Sequence, residues 1–127
     1  MAVIYAVIYS DPADADLERM SFQLAGRDPE YAAKWEADLR QAVQELPDFP
    51  GPLSHARDEE ASVHYGREVR RLLYCGPTRR RSGTPVRILF TLLPPAPDDP
   101  PETAETVIFL LRLLHGSQSL LPNNPSQ

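Results

Sequence analysis

Two segments in the second half of the chain alternate apolar and polar residues with a period of two, the pattern of a half-buried β-strand. In residues 86–93 the apolar side chains lie opposite Arg87, and in residues 105–114 they lie opposite Arg112. We predict a strand over each segment, with one apolar face that must be covered by another layer. The residues assigned to these faces are Val86, Ile88, Phe90 and Leu92 in the first strand and Val107, Phe109, Leu111 and Leu113 in the second.

Two helical stripes earlier in the chain can supply that layer. Asp11-Pro12 and Asp28-Pro29 each place an acidic residue before a proline, which is typical of a helix start. Apolar residues then recur at helical spacing until Gly26 in the first segment and Pro47 in the second. Because few residues join them, the two helices should form an antiparallel pair. Their stripes are Ala13, Leu17, Met20 and Leu24, then Ala32, Trp35, Leu39, Val43 and Leu46.

Two further strands complete the predicted fold. Residues 2–9 are β-branched and aromatic and indicate a buried strand, residues 67–75 indicate another, and residues 48–65 lack periodicity and are predicted as a loop. The sequence therefore predicts an α+β domain of order β-α-α-β-β-β, with a two-helix antiparallel hairpin packed on one face of a small, mainly antiparallel sheet. We place this domain at residues 1–117 and a flexible C-terminal tail at residues 118–127.

The 127-residue composition limits the function classes. The single cysteine, Cys75, excludes an internal disulfide framework, and no apolar run is long enough to cross a membrane. We therefore expect a cytoplasmic protein. His55 and His64 lie near acidic residues but without convergent metal-ligand spacing, so neither a metal site nor a cofactor is predicted. The proline-rich residues 94–102 are expected to form an exposed excursion.

Positive charge is concentrated in one stretch of this acidic chain. Residues 67–87 have a formal charge of +6, whereas the whole chain has −5, so the remaining residues carry −11. Local potential, more than the net charge, determines where an anion approaches. We therefore expect the second face of the sheet to be open and to carry Arg87, Arg112 and either Arg70 or Arg71. The basic residues of the stretch are Arg67, Arg70, Arg71, Arg79, Arg80, Arg81 and Arg87.

An ordered set of motifs resembles the RelE/ParE superfamily of bacterial toxins. The motifs are Tyr-Ala-Val-Ile-Tyr-Ser at residues 5–10, Ala-Lys-Trp-Glu at 33–36, Arg-Glu-Val-Arg-Arg-Leu-Leu-Tyr at 67–74, Val-Arg-Ile-Leu-Phe at 86–90 and Leu-His-Gly at 114–116. The resemblance implies the toxin of a type II toxin–antitoxin system, neutralised by a cognate antitoxin protein. Its target would be DNA gyrase or the ribosome and its mRNA, with no membrane and no small-molecule substrate involved.

The resemblance also implies roles for particular residues. In the ribonuclease branch, cations hold the phosphates and stabilise charge on the scissile phosphate while another group moves the proton. By this resemblance the catalytic residues are Arg87, Arg70 and His115, although Arg67 and Arg71 compete with Arg70 for its role. Contacts with nucleic acid or antitoxin are assigned to Arg67, Arg71, Arg79, Arg80, Arg81 and Arg112.

The C-terminal end departs from the pattern of the superfamily. An arginine commonly follows the His-Gly motif, but Ser117 and Gln118 follow Gly116 here, and the tyrosine or lysine of the ribonuclease branch is not evident. The sequence therefore lies nearer to ParE, for which gyrase inhibition is a binding function. If the chain is an enzyme, the resemblance implies a ribosome-dependent endoribonuclease. The alternative is a catalytically inactive relative that serves as a protein-interaction module.

Overall fold

A computed structural model describes residues 3–77, 85–115 and 118–120. Within these ranges the chain forms three α-helices and a four-stranded sheet, and the predicted α+β class is confirmed. In chain order the elements are β1 (Ile4–Tyr9), α1 (Asp11–Ala25), α2 (Pro29–Gln44), a short 3-10 turn (Pro52–Ser54), α3 (Glu59–Tyr65), β2 (Arg70–Tyr74), β3 (Val86–Leu93) and β4 (Glu105–His115).

The strands lie in the order β1-β4-β3-β2, with β1 parallel to β4 and the other pairs antiparallel. β1 is therefore an edge strand. Tyr5 and Val7 pack against the core, but Ile4 and Ile8 are 43% and 46% exposed. The prediction of a buried first strand is therefore wrong for the side of β1 that carries Ile4 and Ile8. A β-branched composition does not distinguish an edge strand from a central one.

The two long helices pack against each other and onto one face of the sheet, as predicted. Asp28 caps α2 by accepting a hydrogen bond from the Tyr31 N–H at 3.1 Å. The cap of α1 is Ser10, whose hydroxyl accepts from the Ala13 N–H at 3.1 Å, so the helix begins with Asp11 as its first residue. Every predicted stripe residue is buried except Leu24, which packs half-buried against the core.

β4 contains a β-bulge that changes which side chains face the helices. Phe90 lies opposite Leu110 in the ladder with β3. The next pair joins Leu89 to Arg112, so Leu111 is an extra residue without a partner on β3. The predicted apolar face of this strand is therefore wrong at Val107, Phe109 and Leu111 and right at Leu113, because strict alternation does not anticipate an inserted residue. The β4 residues in the main core are Ile108, Leu110 and Leu113.

A short helix, α3, replaces part of the predicted loop and covers the second face of the sheet. The Asp58 side chain caps it by accepting from the Ala61 N–H at 2.9 Å, and Gly66 ends it at φ +67°. The helix has only two turns and a small apolar face, which explains why periodicity missed it. The prediction of an open second face is therefore wrong here. The buried residues of this smaller core are Ala61, Val69, Leu89 and Leu114.

Candidate functional site

The register of the strands determines which arginines share a face. Arg71 lies opposite Leu89 on β3, and Leu89 in turn lies opposite Arg112 on β4. Because paired residues project to the same side, Arg71 and Arg112 lie on the side of Leu89, which belongs to the smaller core under α3. Arg87, two residues from Leu89, projects to that side as well. We call the second face with Arg71, Arg87 and Arg112 the arginine face.

Arg87 is paired with acidic residues at the N-terminal end of α3. Its Nη2 donates to Glu60 Oε1 at 3.0 Å and to the Gln118 carbonyl oxygen at 3.1 Å. Its Nε lies 3.6 Å from Asp58 Oδ2, and the side chain is only 16% exposed. The central arginine of the sequence prediction is therefore largely covered and neutralised within the chain.

Asp58 connects α3 to two strands of the sheet. Its side chain is 3% exposed, and Oδ2 lies 3.6 Å from Arg87 Nε and 3.8 Å from Arg71 Nη1. Neither Asp58 Oδ2 nor Arg87 Nε has a hydrogen-bond partner in the part of the chain that the structure describes. The attraction is therefore that of buried opposite charges, and removing Arg87 would leave Asp58 with only the more distant and more exposed Arg71 as its cation.

Glu60 joins α3 to residues 118–120. It accepts hydrogen bonds from the Ser119 hydroxyl at 2.9 Å and from the Leu120 N–H at 3.3 Å, in addition to the bond from Arg87. The Ser119 hydrogen bond, followed by those from the Leu120 amide and Arg87, lowers the pKa of this carboxyl below its usual value despite some burial. The ionised Glu60 thus holds the segment after β4 against the arginine face.

Arg70 projects to the helix side of the sheet, opposite Phe90. Its Nη1 donates to the carbonyl oxygens of His55 at 2.6 Å and Leu53 at 3.2 Å, and its Nη2 contacts Glu68 Oε1 at 2.7 Å. The His55 ring lies edge-on to Phe90 at 5.9 Å, and burial followed by the charge of Arg70 lowers the pKa of that histidine. Arg70 therefore fixes the loop that precedes α3.

Arg112 forms the most closely coordinated ion pair of the described chain, with Asp16 on α1. Its Nε donates to Asp16 Oδ2 at 2.6 Å and its Nη2 to Oδ1 at 3.1 Å. The same carboxylate, on a residue 2% exposed, accepts from the Leu113 N–H at 2.9 Å and from Arg19 at 3.1 Å. This hydrogen bonding raises the pKa of Arg112. Asp16 thus accepts a hydrogen bond from a backbone amide of β4 that lies beyond the end of β1.

His115 does not converge with the two arginines to which the resemblance gave catalytic roles. It lies opposite Val86 and lines a cavity of about 230 Å³ on the helix side, away from the arginine face with Arg87. Arg70 lies opposite Phe90, four residues along β3, which corresponds to about 13 Å. The structure therefore separates Arg87, Arg70 and His115 by face and by position along the strands.

The remaining predicted residues divide into two groups. Arg67 is exposed and lines a small cavity of about 190 Å³ together with Arg70. Arg79, Arg80 and Arg81 lie outside the described residues. Within the described ranges, no group of three His, Cys, Asp or Glu side chains could hold a metal ion, and no helix has the length and apolar character needed to cross a membrane.

Sequence reasoning missed the acidic partners of the arginine face: Asp16, Asp58 and Glu60. A signal was present for Asp16, because it lies one position before Leu17 on the stripe of α1 and is buried with it. An acid inside an apolar stripe indicates a buried partner of opposite charge. For Asp58 the signal was a helix cap followed by two glutamates, which periodicity alone did not reveal.

The sequence matches the family model of the ParE toxin of the type II toxin–antitoxin system parDE over residues 7–120. The match includes every strand and helix of the described fold except the first three residues of β1. The chain therefore belongs to the ParE toxin family. A search of curated proteins finds no match.

Proposed function

We propose that this protein is a growth-inhibiting toxin that acts by binding DNA gyrase and is neutralised by a cognate antitoxin. We prefer gyrase binding to mRNA cleavage because the structure separates Arg87, Arg70 and His115 from one another. A proton donor or acceptor must lie within hydrogen-bond reach of the reacting group, beside the cation that stabilises its charge. These three side chains do not meet at one phosphate.

The charge around Arg87 supports the same choice. A scissile phosphate approaching this guanidinium would also approach the carboxylates of Asp58 and Glu60, which already occupy it. Like charges at such distances repel, most strongly where burial lowers the effective dielectric. Arg87 and Arg112 are therefore assigned to holding α3 and α1 in place, and not to stabilising a transition state.

The exposed cations supply a surface for an acidic partner. Arg67 is exposed, and the Arg71 side chain is 36% exposed at the margin of the arginine face. Arg79, Arg80 and Arg81 add to the positive charge in the sequence between β2 and β3. We propose that Arg67 and Arg71 attract acidic groups of the gyrase target and an acidic segment of the antitoxin, because complementary potentials increase the association rate and fix the orientation of a complex.

Colony counts after tightly controlled induction in a bacterial host test this function. We expect loss of viability on expression of the wild type and recovery when Arg67→Glu and Arg71→Glu are combined. Arg27→Glu, on the exposed turn between α1 and α2, is the matched charge reversal and should remain toxic. Full viability with the wild type would contradict a toxin and favour the inactive relative, for which Ser117 and Gln118 after Gly116 are the specific observation.

A further inference from the structure

The outer edge of β2 has backbone groups that the sheet does not use. The Arg71 N–H points outward and donates to the Ala56 carbonyl oxygen at 3.0 Å. Because successive residues of a strand alternate, the N–H and C=O of Leu73 point outward too. No hydrogen bond joins either group to another residue of the described ranges. An unpaired donor and acceptor on a strand edge can pair with another strand.

The chain itself shows that this edge accepts an antiparallel segment. Residues 56–58 form a bridge with β2: the Asp58 N–H donates to the Val69 carbonyl oxygen at 2.8 Å, and Arg57 lies opposite Arg70. This pairing covers only the first half of the edge. The positions at Leu73 and beyond continue the same row of backbone groups, and a second segment can bind there.

A groove runs along the uncovered half of the edge. It has a volume of about 580 Å³ and lies between the end of β2 and the C-terminal half of α2. A second cavity of about 290 Å³ continues it past Leu72 towards Phe49. Leu73 is 53% exposed and Phe49 is 99% exposed, so apolar surface is available at both ends. The groove has room for an extended peptide and contacts for its apolar side chains.

The charge of the groove defines the chemistry of its occupant. Asp38, Glu45 and Asp48 line it, and no lysine or arginine of the described ranges does. Asp38 accepts from the Tyr74 hydroxyl at 2.8 Å and Glu45 from the Gln41 amide at 3.3 Å, but none of the three forms an ion pair with a described residue. The acids on the other side of the molecule do pair with arginines, as Asp16, Asp58 and Glu60 show.

We propose that this groove binds an extended, basic segment of a partner protein by strand addition at Leu73. Lysine or arginine side chains of the segment would face Asp38, Glu45 and Asp48, and intervening apolar side chains would contact Leu73. Main-chain hydrogen bonds supply affinity in this mode and alternate side chains supply specificity. The surface is distinct from Arg67 and Arg71, to which we assign the acidic partner, and the proposal does not depend on the gyrase target.

A titration followed by NMR tests the proposal directly. The probe is a capped hexapeptide of alternating lysine and valine, added to the ¹⁵N-labelled full chain at millimolar concentration. We expect shifts of the Leu73 and Cys75 amides and at least about tenfold slower hydrogen exchange at Leu73, since pairing with the peptide protects an exposed amide. The same peptide with N-methyl groups at alternate residues keeps its charge but loses its donors, and it should not produce this protection.

Charge variants test the role of the carboxylates. Combining Glu45→Gln with Asp48→Asn removes two exposed acids of the groove, and we expect the peptide to bind about fivefold more weakly. Glu18→Gln combined with Glu102→Gln is the matched control at exposed sites that do not line the groove, and its affinity should equal that of the wild type.

Three results would overturn the proposal. The first is no binding of the lysine-valine peptide, and the second is binding whose shifts lie on the arginine face. The third is equal binding of a glutamate-valine peptide, since that would remove the charge argument. Sedimentation of the chain without peptide tests whether the groove binds a second copy of this chain. Self-association of the wild type that is lost in the Glu45→Gln, Asp48→Asn variant would assign the groove to that second copy and would also overturn the proposal.

Discussion

At the scale of single residues, Arg87 shows how an arginine on a strand can serve the fold. Substituting methionine keeps an unbranched apolar side chain but removes the guanidinium, so Glu60 loses its arginine and Asp58 keeps only Arg71 at 3.8 Å. Because Asp58 is buried, we expect Arg87→Met to lower the free energy of unfolding by about 2–4 kcal/mol. Urea unfolding measures this change.

Arg57→Met is the matched control for that experiment. Arg57 contacts Glu59 at 3.5 Å, but the two side chains are 51% and 78% exposed. An exposed ion pair contributes little, so the loss should stay below about 1 kcal/mol. Equal losses for the two variants would contradict the assignment of Arg87 to a buried ion pair.

Asp16 is the second residue whose charge the fold requires. Asp16→Asn keeps the shape but weakens the hydrogen bonds from Arg112, Arg19 and the Leu113 amide, and we expect a loss of about 2–4 kcal/mol in unfolding free energy. Asp14→Asn is the control on an exposed position of the same helix and should change stability by less than about 0.5 kcal/mol. A smaller effect at Asp16 than at Asp14 would show that β4 does not depend on this carboxylate.

Glu60 gives the arginine face a pH dependence of known sign. Its pKa is lowered in the folded chain, so its stabilising contribution is fully present above the pKa of the unfolded chain and is lost as the pH falls through the lower, folded pKa. The Leu120 amide, which donates to Glu60, should report this transition in an NMR titration. In Glu60→Gln the transition should vanish. A midpoint equal to that of Glu60 in the urea-unfolded chain would refute the proposed stabilisation.

At the scale of elements, α3 depends on the left-handed residue that ends it. Gly66 has φ +67°, and a Cβ there would meet nothing within 4 Å, so Gly66→Ala tests conformation without a clash. We expect a loss of about 1 kcal/mol in unfolding free energy. Gly26→Ala is the control, because Gly26 has φ −64°, and it should be neutral or slightly stabilising. A loss at Gly26 as large as at Gly66 would contradict this account of the helix end.

How far the sequence predicts these elements depends on how regular each one is. α1, α2 and β3 follow unbroken periods, and their stripes and bounds agree with the prediction to within a few residues. In β4 the period changes at Leu111, since a bulge is set by pairing with β3 and leaves no local signal. α3 was missed because two turns do not establish a helical period.

The sequence predicted which arginines lie on the arginine face, but it did not predict that acidic residues neutralise them. Strand alternation placed Arg87 and Arg112 on the second face, and the described structure agrees, with Arg71 joining them and Arg70 on the other side. Their acidic partners come from residues 16, 58 and 60, which are distant in sequence from the strands. Long-range charge pairing has no period, so the sequence alone could not show that the face is neutralised.

At the scale of the whole molecule, we propose that this member of the ParE toxin family inhibits gyrase by binding it. The most direct test of this proposal is a supercoiling assay with purified gyrase and the purified chain, run beside a ribosome-dependent transcript cleavage assay. We predict inhibition of supercoiling by the wild type, reduced inhibition by the combined Arg67→Glu and Arg71→Glu variant, and intact transcripts. Ribosome-dependent cuts with unimpaired supercoiling would contradict the account and return Arg87, Arg70 and His115 to a catalytic role.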